Sequence, residues 1–396
     1  MINHSIFRDV QKPILLPENC WYVSRHADVK LLFEEENSSK DFLKWVDIDN
    51  APKGWSESFR LKQLLLKESG KAAETGFGMF DNPEHNNHLT LFMPLFSVKN
   101  MERISSDICS VVEKIVDENI NNNFNLASDL GKKVFQTFIS SFLEITEVSS
   151  DIESWADHVQ SIINYSLNPE WLNPYSEETL TRFQKAIDYF IELNTSIIID
   201  RIVNPKDDII CKMLKDFDND YNMVGLYMTY LSTLGMSLGY ATISLLMFLS
   251  NNKDLQNELR TKGTLTHENI EELLRVSNEK PLLIRVLRKD VIIDGIVMKK
   301  GMIVLLDLTA TERDPEVYAD PYSIDLDRKF VNNLMWGYSM HACSGRVMGR
   351  TIVRKSIETI LSKTTDLNIV GEITSKFNGS LPVYSNIPFR LENTNV

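Results

Sequence analysis

The chain has 396 residues, 43% of them hydrophobic, enough for a substantial core in one large domain or two to three small ones. Its net charge of −13 and sequence pI near 5.1 disfavour broad binding to nucleic acid or an anionic membrane. Cys20, Cys109, Cys211 and Cys343 show neither CxxC pairing nor regular spacing, which speaks against a disulfide framework and a zinc ribbon and fits a reducing, cytoplasmic setting.

The N-terminus MINHSIFRDVQKPILLPENC lacks a secretory signal pattern. WYVSRHADVKLLFEEE predicts a short strand running into a helix, and residues 47–82 a long aromatic-bearing loop with a helical insert, the kind of segment that covers ligands. From 98 to about 250 the 3.6-residue period predicts successive helices over 105–120, 130–145, 153–166 and 177–203. The apolar tract Leu231–Leu249, interrupted by serines and a threonine, reads as a long buried helix and not a membrane span. THENIEELLRVS predicts another helix, and DVIIDGIVMKKGMIVLLDLTATERDP small hairpins around its DG and KKG turns. A final helix follows Cys343, and LPVYSNIPFRL reads as a closing strand pair. With no linker or internal repeat, the expectation is one mainly α domain, 1–396, with small β-sheets and a short N-terminus.

The stretch MWGYSMHACSGRVMGR carries the chemistry. A lone buried thiol is the bland reading of Cys343. Gly337 and Gly345 permit close backbone approach, however, and the helix beginning just beyond the cysteine favours a thiolate. His341 lies too near on the same loop to serve as a protease base, and zinc would need further ligands at proper spacing. A single thiolate in a glycine loop best fits one axial bond to haem iron.

Here the sequence resembles the cytochrome P450 family, whose haem loop reads approximately FGxGxHxCxGxxxAR. Trp336, Gly337, Ser339, His341, Cys343, Gly345, Gly349 and Arg350 stand at its positions. The family's ExxR pair matches Glu272 and Arg275, 68 residues before the cysteine (343 minus 275). RVLRKDVIIDGIVMKKGMIVLLDLTATERDPEVYADPYSIDLDR resembles the two-strand and DPxxFxDPxxFDxxR run, and FDNPEHNNHLTLFMPLFSVKNM the segment bearing a propionate-binding histidine. The resemblance implies the P450 fold, haem b with Cys343 as metal ligand, and cofactor contacts from His85, Arg285, His341, Gly337, Gly345 and Trp336. It implies a monooxygenase acting on an apolar or aromatic small molecule in specialised metabolism. That molecule is either free or tethered to a carrier.

Three departures stand out. Leu89 occupies the place of the usual arginine four residues after the propionate histidine, so a cation is missing unless His88 or another residue compensates. Ser339 replaces the second loop glycine, and only about 20 residues precede WYVSRH, which implies that the first family helix is absent. In LSTLGMSLGYATISLL, Met236 and Ser237 align with the family's acid–alcohol proton relay, with Ser237 and Leu238 the alternative register. Gly235 and Gly239 offer irregularity or close approach, and Ser237 or Thr233 a place to hold water or a substrate hydroxyl. The alternatives are a peroxide-dependent or non-hydroxylating P450 (coupling, desaturation, rearrangement) and a non-catalytic recruiting protein. Arg346, Arg350, Arg354 and Lys355 suggest a basic face for a ferredoxin or flavodoxin-type electron donor. The substrate pocket is expected from 45–80, Asn164 to Tyr175, the centre of the long helix, Leu282 to Ile284 and SLPVY.

Overall fold

The structure, a computed structural model, describes residues 10–16, 19–47, 81–145, 177–277, 282–329, 333–378 and 381–394. The expected loop over 47–82 and helix over 153–166 therefore lie largely or wholly outside the described residues. The main helices are α1 His26–Phe33, α2 Glu84–Phe92, α3 Val98–Asn119, α4 Lys132–Leu143, α5 Glu177–Val203, α6 Ile209–Asp216, α7 Tyr221–Ser250, α8 Lys253–Lys262, α9 His267–Ser277 and α10 Arg346–Lys363. The strands are β1 Ile14–Leu15, β2 Trp21–Val23, β3 Ser38–Ser39, β4 Asn123–Asn125, β5 Leu282–Leu287, β6 Val291–Ile293, β7 Ile296–Met298, β8 Ile303–Asp307, β9 Asp366–Ile369, β10 Thr374–Asn378, β11 Leu381–Asn386 and β12 Pro388–Glu392.

Helix α7 is the axis of the helical layer. Its 30 residues contain no charged side chain, and a helix apolar nearly all round is stable only when surrounded. α4, α5, α9 and α10 pack against it. α3 buries one stripe, Ile104, Ile108, Val112 and Ile115, and lies along α10. α7 runs unbroken through Gly235 and Gly239, so the expected irregularity is absent and only close approach remains. A Cβ on Gly235 would stand 2.7 Å from Phe138 Cδ1, and one on Gly239 would stand 2.6 Å from the Gly131 carbonyl oxygen. Both glycines serve packing against α4 and the turn before it.

The β layer differs from the sequence reading in its pairings. The DG turn does close the hairpin β6–β7, with Asp294 at φ 52° and Gly295 at φ 79°, the backbone such a turn demands. β8, however, joins a five-stranded sheet in the order β1-β2-β8-β5-β3, parallel to β2 and antiparallel to β5. The closing segment is not one strand pair: β11 pairs with β10, whereas β12 lies between β4 and β9. Period-2 patterns reveal strands but not distant partners.

Candidate functional site

Cys343 sits in a loop held from two sides. Its N–H donates to the Trp336 carbonyl (2.6 Å), and the Gly337 N–H donates to the Leu334 carbonyl (2.8 Å). Gly337 has φ 74°, and an added Cβ would meet the His341 carbonyl oxygen at 3.0 Å, so glycine is required twice over. Gly345 caps α10, whose first residue is Arg346. Burial pushes the Cys343 thiol's pKa up, while the Gly345 and Arg346 amides and the charges of Lys40 and Arg346 pull it down. Cys343 nevertheless keeps part of its surface open.

Two consecutive acids on α9, Glu271 and Glu272, hold this loop and the segment before it. Glu272 and Arg275, both buried, form a two-point pair at 2.8 Å and 2.8 Å. The Arg275 guanidinium also donates to the carbonyls of Glu312, Pro321 and Ser323, and Glu272 accepts from the Asp325 N–H and Arg328. Burial raises the Glu272 pKa, but these donors outweigh it and hold the carboxyl below its usual range. Sequence reasoning missed Glu271. Its carboxylate accepts from Asn333 Nδ2 (2.5 Å), Trp336 Nε1 (3.0 Å) and Arg350 (2.6 Å), tying both ends of the loop to α9. It also missed Glu312, which accepts the Leu334 N–H (2.8 Å) at the loop's base. These ties come from segments far apart in sequence and leave no local spacing signal.

Above the loop a set of basic side chains converges. The rings of His85, on α2, and His341 meet edge-on with centroids 4.6 Å apart. Both ring nitrogens of His341 are buried and lack a hydrogen-bond partner. Burial first, then the charges of Lys40, Arg285 and His85, push the His341 pKa far down. Arg285 on β5 is 2% exposed; its guanidinium lies 5.3 Å from the Phe33 ring centroid and donates to the Ile284 carbonyl, and burial pushes its pKa down to about 9. Among the described residues no carboxylate forms an ion pair with Arg285 or Lys40. Such buried, like-charged groups call for an anion.

On α7, Ser237 is exposed and Met236 half-buried, between the buried Gly235 and Leu238. Ser232 and Thr242 hydroxyls bond back to the carbonyls of Met228 and Leu238 on their own helix. The side chain of Thr233 lies outside the described residues. Of the four cations expected on one docking face, Arg346 is exposed, whereas Arg350 turns inward to Glu271 and Arg354 donates to the Leu265 carbonyl. The basic face is smaller than the sequence implies. Of the expected pocket segments, 48–80 and 164–175 lie outside the described residues. No single helix among the described residues is long and apolar enough to cross a membrane.

A family model described as "Cytochrome P450" matches residues 246–363, which span the Glu272–Arg275 pair and the Cys343 loop. The biotin biosynthesis cytochrome P450 of Bacillus subtilis (strain 168) is 24% identical over 298 residues, covering 74% of this chain and 73% of that one. Among solved structures, epothilone D-bound cytochrome P450epoK superposes with a TM-score of 0.83 at 17% identity, covering 98% of this chain and 95% of its own. P450BioI, in complex with an acyl carrier protein ligated to hexadec-9Z-enoic acid, gives 0.80 at 19%, covering 98% and 96%. The match takes in both the Glu272–Arg275 pair and the Cys343 loop, and the fold is that of solved cytochromes P450 almost from end to end. The chain therefore has the cytochrome P450 fold, and its residues 246–363 are similar in sequence to that family.

Proposed function

We propose that the chain, as a single P450 domain over 1–396, is a haem-thiolate monooxygenase of a largely apolar or aromatic small molecule in specialised metabolism, in which Cys343 would hold the haem iron through its thiolate. The observation that carries this is the juxtaposition of the Cys343 loop with buried, uncompensated nitrogen groups of His341 and Arg285. His85, His341 and Arg285 fit the two propionates of haem b, which would supply carboxylates to the buried nitrogens of His341 and Arg285. When bound, thiolate-ligated haem supplies the dioxygen activation the family uses.

The remaining tasks fall to the protein. The amides of Gly345 and Arg346 stabilise charge on the Cys343 sulfur, and Glu271 fixes the loop through Trp336 and Arg350. Gly337 and Gly345, without side chains, would leave room for the cofactor beside Cys343. On the opposite side, α7 offers no carboxylate anywhere along its length, so protons reach the site through water or a substrate hydroxyl held near Ser237, with Met236 as an apolar neighbour. Electrons come from a ferredoxin or flavodoxin-type donor docking near Arg346 in the cytoplasm. The acyl carrier protein complex of P450BioI supports a carrier-tethered substrate as one form of delivery.

The reduced, carbon monoxide-bound absorption spectrum tests the ligand. Wild type should give the thiolate-type Soret band and Cys343→Ser should lose it; wild type without a haem signal would sink the proposal. The absence of an acid on α7 favours a second reading, a peroxide-dependent or non-hydroxylating enzyme. Turnover supported by hydrogen peroxide but not by dioxygen with a reductase system would favour it over the first.

A further inference from the structure

Leu89 stands one helical turn beyond His85 on α2, where the resemblance calls for a cation, and it packs half-buried against the core. His88 is not the substitute: its Nδ1 lies 3.1 Å from the Tyr227 hydroxyl, which also donates to the His88 carbonyl. The positive charge comes from the other side of the site. β3 pairs antiparallel with β5, Ser38 with Leu287 and Ser39 with Val286. Continuing that register by one residue sets Lys40 across from Arg285, and directly opposed residues project from the same face of a sheet.

The segment bearing His85 is fastened to the same strand. Asp81 accepts from Ser39 Oγ (2.5 Å) and Trp45 Nε1 (2.7 Å), and its carbonyl accepts the His85 N–H (3.0 Å). Lys40 is close enough to Arg285, His85, His341 and Cys343 to bear on the charge of each. Burial, then Arg285, push its own pKa down to about 7, with Cys343 opposing. Lys40 is half-buried. Two cations side by side without a carboxylate partner among the described residues are unfavourable unless an anion joins them.

We propose that Lys40 is a haem-anchoring residue, supplying from the edge of the sheet the propionate charge that Leu89 has removed from α2. This rests on the haem reading above, which fails separately if wild type gives no thiolate-type spectrum. Wild type, Lys40→Met and Lys40→Arg are loaded with haem or with haem dimethyl ester, whose propionates are capped. Transfer to excess apomyoglobin is then followed by absorbance.

With haem, Lys40→Met should lose the cofactor about tenfold faster and Lys40→Arg at close to the wild-type rate. With the ester all three should lose it at one rate. Adding Leu89→Arg should restore slow loss in Lys40→Met and change wild type little, because the charge is already present. An unchanged rate in Lys40→Met, or an equal acceleration with the ester, overturns the proposal. Should Lys40→Met fail to fold, Leu89→Arg alone decides: slowing of about tenfold in otherwise wild-type protein overturns it.

Discussion

Ser339 holds φ 56° in a loop position where glycine would carry no Cβ penalty. A left-handed backbone costs a serine about 1 kcal/mol, and its hydrogen bond to Glu34 (3.2 Å, exposed) offsets only part of that. Ser339→Gly should therefore raise the thermal midpoint by about 1 °C at most; a lower midpoint would mean that the Glu34 contact dominates. Glu272 carries the opposite kind of constraint. Because its folded pKa is depressed, its contribution is fully present above the unfolded value of about 4.3 and is lost as pH falls through the folded value. Glu272→Gln should cost about 3 kcal/mol at pH 7, where it leaves Arg275 and Arg328 without their charged partner. The gap from wild type should narrow on acidification, as read by urea unfolding at pH 7 and pH 4. The Glu272–Arg275 pair was legible in sequence because its spacing is local. The ties of Glu271 and Glu312 to the Cys343 loop were not, because their partners come from other segments.

At the scale of elements, α7 shows why a glycine pattern misleads. Gly235 and Gly239 stand near the expected oxygen side in sequence, yet both face α4 and the turn before it. Gly239→Ala would press a methyl onto the Gly131 backbone and should cost about 1–3 kcal/mol in thermal unfolding. Gly235→Ala meets the Phe138 and Phe135 rings, which can shift, and should cost less; the reverse order would show that the rings are the stiffer neighbours. Helices α3, α4, α5 and α9 were legible because their apolar stripes repeat every turn. The hairpin β6–β7 was legible through its DG turn, but the split of β11 and β12 between two sheets was not, since both alternate alike.

At the scale of the whole molecule, the basic cluster is assembled from four distant stretches: Lys40 after β3, His85 on α2, Arg285 on β5 and His341 in the Cys343 loop. The sheet bringing β3 to β5 also pairs Trp21 with Val304, 283 residues apart (304 minus 21). At ~5–20 residues per second a ribosome needs tens of seconds to span that interval, during which β2 has only β1 beside it and β3 lacks β5. Arg285 and His341 emerge later still than Lys40 and His85. Cofactor capture is thereby deferred to the end of translation, and a truncated chain would present neither the thiol nor the completed ring of charge to free haem.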